Sequence, residues 1–324
     1  ATTEIYTLSL HDALPIYDVN AMVVFEQAAN GGEWIQAKGE QPMANLDQMF
    51  NYSKDAERRW GDAEEYTGGR LSWIGRFNYT FDQKYIAEFS FRYDGNTLFP
   101  DGHRWGFFPS VSAAWRLSEE SFMENTTDWL SNLKLRASYG TTGNDLDLSK
   151  DPIDKITAFS YLQKYNTGGT YVFGSNLANT IVAGDTPNPT LTWATSTTYN
   201  GGLDFGFFNN RLSGTLDVFY RKEVDILGPR TVTLPSTYGQ ALAPENYAER
   251  SWRGGELALT WMDKAANGAI DYSAYVNLGF ARDRWDVLDV SATYQEGGNL
   301  YALSPLGKAD GILTGLIADH LLTD

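Results

Sequence analysis

Residues 70–95 read RLSWIGRFNYTFDQKYIAEFSFRYDG. From 71 to 81, Leu71, Trp73, Gly75, Phe77, Tyr79 and Phe81 occupy every second position. Ser72, Arg76, Asn78 and Thr80 stand between them, with Ile74 the one apolar intruder. From 84 to 94, Tyr85, Ala87, Phe89, Phe91 and Tyr93 alternate with Glu88, Ser90, Arg92 and Asp94. A strand sends successive side chains to opposite faces, so a period of two predicts two strands, each with one apolar and one polar face. Phe81 to Lys84 leaves room only for a tight turn between them.

The same rhythm extends in both directions. Residues 110–117 set Val111, Ala113, Trp115 and Leu117 against Ser110, Ser112 and Arg116, and residues 132–142 set Leu133, Leu135, Ala137 and Tyr139 against Lys134, Arg136 and Ser138. Residues 197–207 and 211–221 place Asp204 and Asp217 on polar faces opposite Leu203, Phe205, Leu216 and Val218. Residues 255–262 and 272–281 follow suit, and 18–26 does so more weakly. Half-apolar strands also build soluble sandwiches and propellers, and a soluble carbohydrate-binding module of that kind is the competing reading.

Strand length and connections favour a membrane. Soluble strands cluster at about 5–6 residues, whereas a tilted transmembrane strand needs about 9–11, as most of these segments supply. The connections alternate short (82–83, 209–210, 263–269) with long (95–108, 144–193, 222–254), the pattern of outer-membrane barrels. The exception is 118–131, whose SEESFMENTTDW stretch suits a helical turn on the short side. The expected fold is therefore all-β, a transmembrane antiparallel β-barrel. Its polar faces would line a water-filled lumen with Arg76, Glu88, Arg92, Arg116, Lys134, Arg136, Asp204 and Asp217.

Composition narrows the function. A net charge of −16 argues against nucleic acid, whose phosphates select basic surfaces. The absence of cysteine excludes disulfides, zinc–thiolate sites and thiol nucleophiles. The longest apolar run, residues 21–25, falls far short of the ~20 residues of a helical span. No basic n-region and apolar core open the chain, so either the protein stays inside the cell or, the preferred reading, the true amino terminus lies further upstream.

The stretch from Arg70 to Asn144 also carries a resemblance. The R-x-N-Y strand (Arg76, Asn78, Tyr79), Lys84-Tyr85, Arg92-x-Asp94-Gly95, Arg104-Trp105-Gly106, FPSVSAAWR at 108–116 and LKLRASYGTTGN at 133–144 resemble SusC/RagA-type TonB-linked outer-membrane proteins. Leu203-Asp204-Phe205-Gly206, Asn210-Arg211-Leu212 and Asp217-Val218-Phe219-Tyr220-Arg221-Lys222 are similar to the same family. The resemblance covers roughly 17–280. It implies a large outer-membrane barrel closed by an amino-terminal plug and capped by a SusD-like surface lipoprotein. Such a barrel imports oligosaccharides or peptides with energy relayed by TonB. Plug, TonB box and terminal strand motif are absent from the sequence, so the resemblance implies about half of a barrel with unpaired edges, although eight or nine strands suffice in principle for a small closed one. Residues 5–16, IYTLSLHDALPI, read as translated adapter sequence; 1–16 is set aside as a non-native leader and 17–324 assigned to the barrel domain.

Catalytic chemistry is sparse. The histidines are His11, His103 and His320, and only His103, beside Asp101, would serve a Ser–His–Asp hydrolase. No GxSxG, HExxH or P-loop pattern occurs. The expectation is no enzyme and no cofactor. Asp94, Asn96 and Asp101 lack EF-hand spacing and suit turns better than calcium. Glu64-Glu65 and Glu119-Glu120 suit solvated acidic pairs. The sequons at Asn51, Asn78 and Asn125 are chance matches in a bacterial barrel. Trp105, Tyr161, Tyr165, Tyr171, Trp193 and Trp252 fall in or near the predicted long loops. They are candidates either for stacking on a sugar ligand or, preferably, for anchoring at the lipid headgroup level.

Overall fold

The computed structural model describes residues 2–11, 16–39, 59–147, 154–156, 159–174, 176–231, 235–265, 270–291, 294–295, 298 and 303–309. Its strands are β1 (Thr2–His11), β2 (Tyr17–Gly39), β3 (Arg59–Phe81), β4 (Tyr85–Asn96), β5 (Trp105–Arg116), β6 (Leu130–Asn144), β7 (Leu146–Asp147), β8 (Asp154–Lys155), β9 (Tyr165–Phe173), β10 (Asn176–Ala183), β11 (Ala194–Phe207), β12 (Leu212–Gly228), β13 (Glu245–Ala265) and β14 (Ile270–Val287).

Ten of them form one sheet in the order β1-β2-β3-β4-β5-β6-β11-β12-β13-β14. Every neighbouring pair is antiparallel. The excursion between β6 and β11 carries two small hairpins, β7–β8 and β9–β10. β1 and β14 do not pair with each other, so the sheet is an open section of barrel wall.

The β3–β4 turn shows why the chain reverses there. Phe81 pairs with Tyr85, leaving three residues to reverse the chain; Asp82 and Gln83 both hold positive φ, 51° and 54°, as the central residues of a mirror-image β-turn do, and Lys84 N–H donates to Phe81 O at 3.0 Å. At the next short connection Phe208, Asn209 and Asn210 hold positive φ. Between β5 and β6 the chain forms 3-10 turns at Leu117–Glu119 and Ser121–Thr126, in the stretch where a helical turn is predicted. All three connections lie at the same end of the sheet.

The alternation holds across the sheet. Phe77 stands opposite Phe89, Phe89 opposite Val111, Val111 opposite Tyr139, and Tyr139 opposite Tyr199. This outward face is unprotected: Phe77, Phe89, Val111 and Val218 are 43–57% exposed. Burial is concentrated instead at the long-connection end of the polar face. There Phe99, Phe108, Ile156, Leu191, Trp193 and Leu227 form a cluster. Trp193 meets Phe99 at 4.6 Å and Phe108 edge-on at 5.6 Å. Phe108 can lie across the wall because Gly106 and Gly143 present no side chain beneath its ring.

Residues 2–11 pair with β2 from Thr2↔Gln27 to His11↔Asp18 and form the edge of the sheet, a pairing that does not bear on whether the segment is native. Several strands also run past their predicted ends: β2 and β3 have 23 residues each, β12 reaches Gly228 and β13 begins at Glu245, inside the predicted 222–254 loop. Ladder hydrogen bonds need only backbone. Where both faces meet water, a strand continues without any apolar alternation to reveal it.

Candidate functional site

The polar face of the wall carries the charges, and most of them are paired across strands. On β6, Arg136 lies where β11 offers Gly202 and β12 offers Asp217. Its Nε donates to Asp204 Oδ1 at 2.9 Å and a terminal nitrogen donates to Asp217 Oδ2 at 3.0 Å, while Lys134 stands 3.5 Å from Asp204. A Cβ at Gly202 would sit 2.7 Å from the guanidinium carbon and 2.8 Å from an Asp217 oxygen. The glycine is what lets the arginine bridge two carboxylates.

Nearer β2, Arg92 grips Asp94 through Nε at 3.0 Å and a terminal nitrogen at 3.1 Å, and reaches Ser72 Oγ at 3.5 Å. Arg76 lies 3.5 Å from Glu88. Arg116 is placed opposite Lys134 at the short-connection end. By register, Arg76, Glu88, Arg92, Arg116, Lys134, Arg136, Asp204 and Asp217 share one face of the sheet. Their cross-strand meeting is chemically sensible, since a cation beside a carboxylate in a partly hydrated wall avoids uncompensated burial. A recess of about 480 Å³ opens above this part of the wall, lined by Met22, Ile74, Arg76, Arg92, Phe108 and Thr142 among others.

Toward the long-connection end the structure adds a cluster that the alternation alone did not single out. Trp252 lies between two guanidinium groups, Arg221 at 4.8 Å and Arg250 at 4.9 Å, and Arg250 also lies 4.9 Å from Trp285. Arg221 donates to Ser196 Oγ at 2.7 Å, and Arg250 Nε donates to Asp283 at 2.9 Å. Arg221 shares its parity with Asp217, so its facing was readable; its partners on β11 and β13 were not. On β3, Arg70 pairs with Asp145 at 2.5 Å, and Asn96 of β4 donates to the same carboxylate at 3.0 Å. These bonds tie the start of the β6–β11 excursion to β3 and β4.

The aromatic candidates do not converge. Trp105 is the first residue of β5 and stacks outward on Tyr93 at 4.8 Å; Trp252 is a strand residue of β13, not a loop residue. Tyr165 and Tyr171 are exposed on β9, Tyr161 neighbours Phe159 at 6.2 Å, and Trp193 is buried in the loop-end cluster. The three calcium candidates take separate partners: Asp94 with Arg92, Asn96 with Asp145, and Asp101 with Arg104 at 2.8 Å. His103 is exposed on its turn.

Two half-buried carboxylates outside the spanning strands are held below the usual carboxylate range by donated hydrogen bonds. Glu120 accepts from the Tyr85 hydroxyl at 2.7 Å and from Trp115 Nε1 at 2.8 Å. Asp289 accepts from the backbone N–H and the hydroxyl of Thr231.

Known proteins share this architecture. The family model described as TonB dependent receptor-like, beta-barrel matches residues 15–310. The TonB-dependent receptor SusC of Bacteroides thetaiotaomicron is 33% identical over 201 residues, covering 60% of this chain and 19% of that protein. TonB-dependent receptor P26 of Formosa agariphila is 34% identical over 201 residues, covering 60% and 18%. The chain thus spans about a fifth of the length of these relatives. Among solved structures, the RagAB peptide importer in its closed-closed state superposes with a TM-score of 0.71 at 24% identity, over 90% of this chain and 30% of that one. Its open-open state gives 0.71 at 25% identity, over 89% and 30%.

Proposed function

The chain belongs to the TonB dependent receptor-like, β-barrel family, and from that premise we propose that it forms part of the wall of a bacterial outer-membrane importer energised through TonB. The observation that carries this reading is the segregation of the two faces. One is apolar and exposed along its length, fit for lipid, and the other carries hydrogen-bonded ion pairs that stay hydrated in a lumen. The family is one of transporters rather than enzymes.

The cargo we infer is an oligosaccharide or a peptide, delivered with the help of a SusD-like lipoprotein. The likeness to SusC and to the RagAB peptide importer supports this. The paired wall charges suit it too, because a lumen with compensated charge holds no strong field against a neutral or zwitterionic solute. The test is uptake by cells carrying the full-length gene, offered labelled oligosaccharides or oligopeptides, with and without a co-expressed SusD-like lipoprotein. Uptake of one class that disappears when the proton-motive force is collapsed is the expected result. Uptake indifferent to both the gene and the proton-motive force overturns the proposal.

A further inference from the structure

On the outward face, Tyr199 stands opposite Tyr220, Tyr220 opposite Arg253, and Arg253 opposite Arg282. A row perpendicular to tilted strands climbs through the membrane, so this row passes from aromatic to cationic as it rises. On β14 the outward positions below Arg282 are Phe280, Leu278, Val276, Ala274 and Tyr272. Tyr272 to Phe280 is about 26 Å of strand at ~3.3 Å per residue. At a tilt of ~40° that becomes a depth of about 20 Å, close to the height of an apolar band. Arg253 and Arg282 therefore stand just above the band, on the side of the long connections, which in outer-membrane barrels is the outer leaflet.

Neighbouring cations have partners. Lys222 is held by Glu249 at 2.7 Å and Arg284 by Asp286 at 2.6 Å. Asp283 is turned to the lumen face, where Arg250 takes it. Arg253 and Arg282 are both exposed and have no carboxylate partner among the described residues. Two like charges directly opposite on antiparallel strands repel, with backbones only about 5 Å apart. An anion that accepts from both removes that repulsion, and the oxygens of a phosphate match two guanidinium forks. A recess of about 350 Å³ lies beside them, lined by Tyr220, Ser251, Arg253, Arg282, Arg284 and Gly307 among others.

We propose that Arg253 and Arg282 form a binding site for the phosphate of an outer-leaflet lipid headgroup, whose acyl chains lie along Val218, Leu278 and Phe280. The inference rests on the membrane-barrel reading. A full-length protein that is soluble without detergent would remove that reading; one that needs detergent yet ignores the phosphate would remove only the lipid site.

The experiment uses the full-length protein in non-ionic detergent, with retained lipid measured by native mass spectrometry. Its probes are a bis-phosphorylated glycolipid (lipid A), the same glycolipid dephosphorylated, and inorganic phosphate. Wild type should retain the phosphorylated glycolipid, and Arg253→Gln/Arg282→Gln should weaken retention at least about tenfold, because the charge-assisted hydrogen bonds of both guanidinium groups are lost. The double lysine variant should fall between, because an ammonium keeps the charge and loses the fork. Heat-modifiable gel mobility reports folding, and Arg282→Gln alone serves should the double variant fail to fold. Equal retention by the glutamine variants overturns the site, as it would if a carboxylate on a further strand beside β14 were the true partner. Equal retention of the dephosphorylated glycolipid, or displacement by inorganic phosphate at matching concentration, overturns the lipid assignment.

Discussion

Phe89 and Ser90 are adjacent in sequence and face different solvents, so one substitution at each position measures the wall. On β4, Phe89 lies midway between outward Tyr85 and outward Tyr93. Eight residues separate the two tyrosines, about 26 Å of strand at ~3.3 Å per residue and about 20 Å of depth at ~40° tilt. Phe89 therefore lies about 10 Å from each, at the middle of the apolar band. An arginine there costs about 2–4 kcal/mol at the bilayer midplane. Ser90 lies opposite Arg76 and Ser110 on the polar face. An arginine at 90 meets water and one like charge, a repulsion of about 0.2–1 kcal/mol. The expected gap between Phe89→Arg and Ser90→Arg is about 2 kcal/mol, roughly a thirtyfold change in the folded-to-unfolded ratio. Denaturant unfolding of the full-length protein in lipid vesicles, followed by heat-modifiable gel mobility, reads it directly. Equal destabilisation by the two substitutions would refute the assignment of faces.

Gly201 and Gly202 offer a second contrast. A Cβ at Gly201 meets only Val218 at 3.7 Å, whereas one at Gly202 collides with Arg136 and Asp217. Gly201→Ala should be neutral or slightly stabilising and Gly202→Ala destabilising by roughly 1–2 kcal/mol, as displaced charged hydrogen bonds imply; the order of the two unfolding midpoints checks this. Trp193→Ala should cost about 3–5 kcal/mol locally by emptying the loop-end cluster. Limited proteolysis of the 145–193 excursion should then accelerate, and an unchanged digestion rate would show that the cluster does not hold the loop. Glu120 gives a pH dependence with a definite sign. Its folded carboxyl lies below the usual range through bonds from Tyr85 and Trp115, so the stability it adds is present above its unfolded value of ~4.3 and lost as pH falls through the folded one. Wild type should exceed Glu120→Gln in unfolding midpoint at neutral pH, with the gap closing on acidification; a gap constant with pH contradicts the linkage.

The spanning parts of the wall were legible because lipid and water impose a strict two-residue period on any strand between them. Arg76, Glu88, Lys134 and Asp204 could be given a face on that ground alone. The upper reaches of β12 and β13 were illegible for the opposite reason: past the apolar band no lipid-facing side remains to enforce alternation, and Trp252 was read as a loop residue. Trp105 is instructive as well. It sits where a loop ends by composition, yet its parity with Phe107 and Val111 already marked it as outward, where Gly95 leaves space for its ring.

By itself the sequence determined which side of each long strand is apolar and where the tight turns fall, and its strand lengths and connections favoured a membrane barrel over a soluble sandwich. These are local consequences of side-chain alternation and of turn residues such as Asp82, Asn209 and Asn210 that tolerate positive φ. Only the tertiary structure decided who meets whom. Arg136 finds Asp204 and Asp217, which lie 68 and 81 residues away, because β6 pairs with β11 across the whole 145–193 excursion. That register is set by a ladder of backbone hydrogen bonds between segments distant in the chain. A period of two gives a residue its face, and every slip by two residues preserves that face while changing all of its neighbours.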